Sequence, residues 1–259
     1  MNQPCPVCGK SDYTVVYESS EFKLLSCKVC KLIMKSFGGA IDRHTSQALQ
    51  DLVYTDLKRV DDIKRRKRLA SKRLLLLTNF IKKGYILEIG CATGEFLEAA
   101  NSYGFDAFGI DSSEKYAQYA KSKGLQVKHC RLEDIDFKVK KFDALVMFHL
   151  FEHIENPNTF LQKVKNHLSY QGLLMIIVPN LQAVTDKLFG FRCPGFHQKD
   201  HLFFYRKSTL SRMLVNNGFK VIKVQSQEDP HHFFLSFSEY IENLRQKKPN
   251  SQSSSSLKK

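Results

Sequence analysis

Residues 85–101 read YILEIGCATGEFLEAAN, and the rest of the chain is organised around them. Residues 85–89 form a short, mostly apolar run with the character of a buried strand. Gly90 and Gly94 follow in a tight turn. Residues 95–103 then place Phe96, Leu97 and Ala100 on one helical face, and Gly104 stops the pattern. Strand, glycine-bearing turn and helix make a ligand-binding unit. Glycine lets a ligand approach the backbone, and the helix start offers free N–H groups.

The spacing narrows the ligand. A dinucleotide turn carries G-x-G-x-x-G, and a phosphate loop carries Gly-Lys-Ser/Thr. Here Glu88, Gly90, Ala92 and Gly94 alternate, and Glu95 follows. Acidic residues beside the turn repel phosphate and suit a cationic ligand. The stretch resembles motif I of the class I S-adenosylmethionine (SAM) methyltransferases, acidic-x-Gly-x-Gly-x-Gly, with Ala92 in place of the middle glycine. The resemblance implies a Rossmann-like α/β fold with a seven-stranded sheet. It also implies that Glu88, Gly90, Cys91 and Gly94 line the SAM pocket.

The α/β alternation continues downstream. Strands are expected at residues 107–110, 125–129, 143–148, 173–178, 219–225 and 233–237. Helices are expected at 114–123, 157–168, 207–216 and 238–245. Asp111 ends the second strand, 17 residues past Gly94, near the offset at which a carboxylate meets ribose hydroxyls in nucleoside-binding folds. Its other reading is an N-cap, and Ser112 or Ser113 can also cap the next helix. Residues 130–136, CRLEDID, stand where SAM enzymes hold adenine. There the resemblance implies that the Leu132 N–H meets the ring and that Glu133 or Asp134 accepts from its amine.

Residues 142–157, FDALVMFHLFEHIENP, resemble a segment of the subfamily that includes ubiquinone-pathway O-methyltransferases and zinc-bearing sugar C-methyltransferases. In that family the strand end lies against the methyl donor, which makes Phe148 and His149 its expected neighbours. Glu152 and His153 open the following helix. His153 is a candidate base or a packing residue. Residues 181–205 are an insertion rich in aromatic and histidine side chains, as a substrate lid would be. His201, before Phe203 and Phe204, is a second candidate general base or a pin for the lid.

Upstream lie two C-x-x-C pairs, Cys5/Cys8 and Cys27/Cys30, separated by 18 residues. Two such knuckles complete a tetrahedral zinc site, and residues 13–17 and 22–26 read as the strands of a hairpin between them. Four thiolates close the site, so the zinc is structural, and so small a module needs it to fold. Residues 1–36 are therefore read as a zinc ribbon, 37–80 as a helical connector and cap, 81–245 as the SAM-binding domain and 246–259 as a disordered tail. Within the connector, residues 56–77 form a basic helix, read as a solvated edge or a surface for an anionic partner. Tyr54 is a candidate contact for the methionine carboxylate.

Composition sets outer limits. A formal charge of +14 favours an anionic partner: a nucleotide-linked substrate, nucleic acid or an anionic membrane surface. Seven cysteines, an odd number without a secretory signal, argue for reduced thiols and a cytoplasmic setting. No run approaches the ~20 apolar residues of a membrane span. The expected function is SAM-dependent O-methylation of a sugar or other small metabolite. An RNA or protein methyltransferase using the basic helix is the first alternative. A non-catalytic scaffold with this fold is the second.

Overall fold

The computed structural model describes residues 3–37, 60–135, 141–181, 190–192, 196–198 and 200–226. The expected strand at 233–237, the helix at 238–245, the tail, Tyr54 and the first part of the connector lie outside these residues.

Two sheets make the frame. The larger is parallel and has five strands: β4 (Tyr85–Ile89), β5 (Asp106–Asp111), β6 (Gln126–His129), β7 (Phe142–Phe148) and β8 (Leu168–Ile177). Their spatial order is β6-β5-β4-β7-β8. The order reverses at β4, so a crevice opens at its carboxyl end between β5 and β7, where open α/β sheets bind ligands. β4 suits this central place because Ile86, Leu87 and Ile89 are buried on both faces. Helices α2 (Glu95–Ser102), α3 (Glu114–Ser122) and α4 (Pro157–His167) connect the strands.

The basic helix is α1 (Val60–Leu77). Ala70, Leu74 and Leu77 form its buried stripe. They join Phe96, Leu97 and Ala100 of α2 in one core cluster. The cap is thereby fixed over the sheet by apolar burial, worth about 1.5–3 kcal/mol for each large side chain.

The smaller sheet starts as the expected hairpin, β1 (Tyr13–Glu18) and β2 (Phe22–Cys27). It gains two strands that the sequence reading does not contain. β3 (Ile33–Phe37) pairs with β2, and β9 (Phe203–Phe204), from the insertion, pairs with β3 through Ile33–Phe204 and Met34–Phe203. Cys5, Val7, Cys27 and Leu32 share a core cluster with Phe151, Leu202, Tyr205 and Met213. Asn158 and Asn216 donate from α4 and α5 (Lys207–Asn216) to the carbonyls of Pro6 and Val7. The N-terminal module is thus sewn to the carboxyl side of the larger domain.

Most expected elements fall within one or two residues of those observed. Two differ. Residues 219–225 form no strand: they have no ladder partner among the described residues, and Ile222 and Val224 are about half exposed. Glu152 and His153 belong to a one-turn 3-10 segment, Phe151–His153, rather than to α4. Pro157 sets the start of α4 four residues later, at the position where its missing N–H costs nothing.

Candidate active site

The turn after β4 is held open by its backbone. Gly90, Ala92 and Gly94 all have positive φ, at 74°, 44° and 81°. Ala92 occupies a left-handed conformation that costs a non-glycine residue about 1–2 kcal/mol. Its N–H donates to Asp111 Oδ2 at 2.8 Å, which helps to hold it there. At Gly94 the φ of 81° favours glycine, and a Cβ there would also push on the Leu125 side chain, 2.3 Å away. Cys91 points inward: it is buried, and its sulfur packs over Gly109. Its N–H donates to the Ile110 carbonyl and its own carbonyl accepts from Gly94, so Cys91 shapes the turn.

Two carboxylates flank this turn. Glu88 is buried, and burial pushes its pKa well above the ordinary value against the opposing charge of Arg73. Its Oε2 is buried with no hydrogen-bond partner among the described residues, an acceptor that a cationic ligand would satisfy. Asp111 ends β5. Its Oδ1 accepts from the Ser113 N–H and its Oδ2 from Ala92, each at 2.8 Å. Burial raises its pKa, while those two N–H groups pull the other way. Each oxygen keeps a further lone pair, so the turn-bracing role and a ribose-accepting role are compatible.

Other expected cofactor contacts follow β5 and β6. Ser112 offers its carbonyl to His129 Nε2 at 3.0 Å. Leu132 is buried at the head of the 3-10 segment Leu132–Asp134. Glu133 is in the same segment, and its side chain lies outside the described set. On the other side of the crevice, Phe148 meets Phe96 edge to face at 5.0 Å. The Arg73 guanidinium lies 4.5 Å from the centre of the Phe148 ring. His149 follows in a left-handed conformation and its side chain is about half exposed. Leu150 packs over Gly90.

The sequence reading of α1 is a solvated edge or a surface for an anionic partner. The structure turns part of its charge inward. Arg66 Nε pairs with buried Glu95 at 3.2 Å, and Arg73 lies near Glu88, whereas Lys67 pairs with Glu98 at 2.9 Å on the exposed side. A signal for this was present: Ala70, Arg73, Leu74 and Leu77 share one helical stripe, so Arg73 lies with the buried residues.

The second half of the site lies past β7, where the structure brings His153 and His201 together. Their rings meet edge to face at 4.8 Å. Between them stands Glu152, only 1% exposed, with Oε1 at 4.0 Å from Nε2 of each imidazole. Burial would raise the Glu152 pKa, but His149 and His153 hold it below the ordinary value. His201 is buried too, and with His153 and Lys35 nearby its pKa falls to about 4. A neutral imidazole of that pKa is a weak base. Sequence reasoning named the Glu152–His153 pair but gave Glu152 no role, and it missed Asp200, which receives His153 Nδ1.

The ribbon supplies two further features. Cys5, Cys8, Cys27 and Cys30 bring their sulfurs within 4.8 Å of one another, with Cys5–Cys30 and Cys8–Cys27 at 3.5 Å. A tetrahedral ion with bonds of ~2.3 Å sets sulfurs about 3.8 Å apart, so this set fits one. Lys35, on β3, is buried among Phe22, Phe37 and Phe204 and donates to the Gln198 carbonyl. Burial pulls its pKa down to about 8. Among the described residues, no helix is long and apolar enough to cross a membrane.

Comparison with known proteins agrees with this geometry. The methyltransferase-domain family model matches residues 62–224. An uncharacterized protein, MJ1123, of Methanocaldococcus jannaschii is 30% identical over 57% of this chain and 70% of its own length. The ubiquinone biosynthesis O-methyltransferase of Rickettsia canadensis is 23% identical over 55% of this chain and 65% of that enzyme. The chain thus spans just under two thirds of the Rickettsia enzyme. Among solved structures, a methyltransferase of Bacillus halodurans superposes with a TM-score of 0.55 at 16% identity, covering 70% of this chain and 85% of that one. The plantazolicin methyltransferase BpumL, solved with the demethylated cofactor SAH, gives a TM-score of 0.53 at 18% identity over 79% and 88%. At these identities the structural likeness establishes the fold. The family match spans well over half of the sequence, and the chain belongs to the methyltransferase-domain family as a SAM-dependent methyltransferase.

Proposed function

We propose that this protein transfers the methyl group of SAM to an oxygen of a small-molecule acceptor, with sugars and nucleotide-linked sugars as the first class to test. The observation that carries the reading is what gathers at the carboxyl ends of neighbouring strands: the acidic glycine turn after β4, and, past β7, Glu152 and His153 with His201 beside them. In this reading Asp111 accepts from the ribose hydroxyls, and Leu132 and Glu133 meet adenine. Glu88 and Phe148 face the methionine end, with His149 beside them. SAM supplies an activated methyl group, so the chain's task is largely to position donor and acceptor and to exclude water. The Rickettsia relative is an O-methyltransferase by name, which supports oxygen as the acceptor atom.

The pairing of Arg66 with buried Glu95 and the packing of Arg73 on Phe148 favour a small acceptor over a polymer, because they withdraw two cations from the surface that would hold phosphates. We further assign the four-cysteine cluster to one structural zinc. Its role is to fix β1, β2 and β3, and through β3 the strand that follows His201.

The test is turnover of labelled SAM by the zinc-loaded chain against sugars, nucleotide sugars and phenols, with tRNA as the polymer control. Label in a small acceptor, with stoichiometric SAH, is the expected result. Label in RNA alone would replace this reading with the polymer one.

A further inference from the structure

Glu152 is placed as no carboxylate should be left. It is 1% exposed, and both of its oxygens lack a hydrogen-bond partner among the described residues. A buried carboxylate without a hydrogen-bond partner is strongly disfavoured and persists only where something compensates it. The flanking groups do not pair with it directly. His149 Nδ1 is 3.7 Å away, and His153 Nε2 and His201 Nε2 are 4.0 Å away, all beyond hydrogen-bond reach. The donor atoms of Glu152, His153 and His201 nevertheless converge within 4.8 Å of one another.

The orientation of His153 adds a second, independent sign. Its Nδ1 lies 2.9 Å from the Asp200 carbonyl oxygen and 3.4 Å from the Asp200 carboxylate. Nδ1 therefore carries the proton and donates it to Asp200. In the neutral ring this leaves a lone pair on Nε2 aimed at Glu152. A lone pair and a carboxylate facing each other across a dry gap repel unless a cation lies between them. An imidazole that donates its far N–H to a carbonyl or carboxylate is also the usual arrangement around a bound metal.

We propose that Glu152, His153 and His201 bind one divalent transition-metal ion, distinct from the ribbon zinc, whose open positions take oxygen atoms of the methyl acceptor. Two imidazoles and one carboxylate suit zinc, manganese, cobalt or iron rather than magnesium. Three protein ligands leave room for a chelating acceptor, such as a vicinal diol or a hydroxyketone. The ion lowers the pKa of the bound hydroxyl, and the proton passes to solvent. The resulting oxygen attacks the methyl carbon: an O–C bond forms, the S–C bond breaks, and its electron pair returns to sulfur to give neutral SAH. The acceptor half of this proposal rests on the methyl-transfer reading; the metal site itself does not.

The experiment uses the full-length, zinc-loaded protein, titrated with manganese and cobalt by calorimetry and by the electron spin resonance of free manganese. One additional ion per chain is expected, and the cobalt form should lack the intense thiolate charge-transfer band that cobalt in the ribbon would show. Glu152→Gln and His201→Ala should each weaken this ion by tenfold or more while elemental analysis still finds the ribbon zinc. No uptake by the wild type at millimolar metal would overturn the site, as would uptake accompanied only by the thiolate band. Uptake unchanged in both variants would do the same. Should a variant fail to fold, the wild-type stoichiometry and cobalt spectrum decide alone. SAM affinity measured on the same sample separates this failure from failure of the methyl-transfer reading.

Discussion

The glycine turn after β4 and the seam between β3 and β9 do complementary work by different means. The turn is local. Its strained backbone is braced by Asp111, 19 residues from Ala92 in sequence, and every part belongs to one β-α-β unit. The seam joins segments far apart in the chain, such as Asn216 to Val7, across 209 residues. It has only two paired residues on β9 and leans on apolar packing and on whatever closes the cysteine cluster. The contrast teaches that the glycine turn is preformed by its own backbone. The seam, with His201 beside it, is assembled by tertiary contacts with the N-terminal module.

The largest effect should come from breaking the seam. Cys27→Ser removes one of four thiolates, and loss of a structural zinc forfeits a binding free energy on the order of 10 kcal/mol in small zinc modules. Elemental analysis should show zinc lost, proteolysis should open residues around 200, and turnover should fall steeply. SAM affinity should change by no more than about threefold, because distant sites act nearly independently. A matching collapse of SAM binding would show that turn and seam are one unit.

The converse variant is Gly94→Val. A branched side chain at φ 81°, with Leu125 at 2.3 Å from the new Cβ, should cost about 3 kcal/mol or more and abolish measurable SAM binding. Zinc content should stay at wild-type level. Full SAM affinity in this variant would mean that the turn tolerates a shape the geometry forbids.

A smaller effect concerns Lys35. Its folded pKa of about 8 lies below the unfolded value of 10.5, so the unfolded chain binds more protons between these two pH values. Stability contributed at this site therefore rises with pH across that window, by at most about 3 kcal/mol. Lys35→Met should be the more stable protein near pH 7, with the difference fading by pH 10.5 in urea titrations. A difference independent of pH would place the ammonium in a better-solvated setting than its aromatic surroundings indicate.

The same division explains what could be read from the sequence. β4, α2, β5 and the Asp111 position were legible because period, glycine spacing and offset are short-range signals. So was the cysteine set, since C-x-x-C brings its own geometry. β3 and β9 were not, because Ile33–Phe37 and Phe203–Phe204 become strands only on meeting each other. The expected strand at 219–225 has β-branched Val221, Ile222 and Val224 but no described partner, and a strand without a ladder is only an extended segment. His153 and His201 were each visible as candidates. Their convergence on Glu152 was not, because it depends on where residues 200–205 meet β3.

The most direct test of the account is titration calorimetry of the zinc-loaded protein with SAM and with SAH, on the wild type and on Asp111→Ala. The account predicts micromolar binding of both ligands to the wild type. It predicts an affinity lower by about tenfold or more in the variant, since a hydrogen bond to a charged group contributes ~1.5–3 kcal/mol. No heat with either ligand, or equal affinity for both proteins, would contradict it.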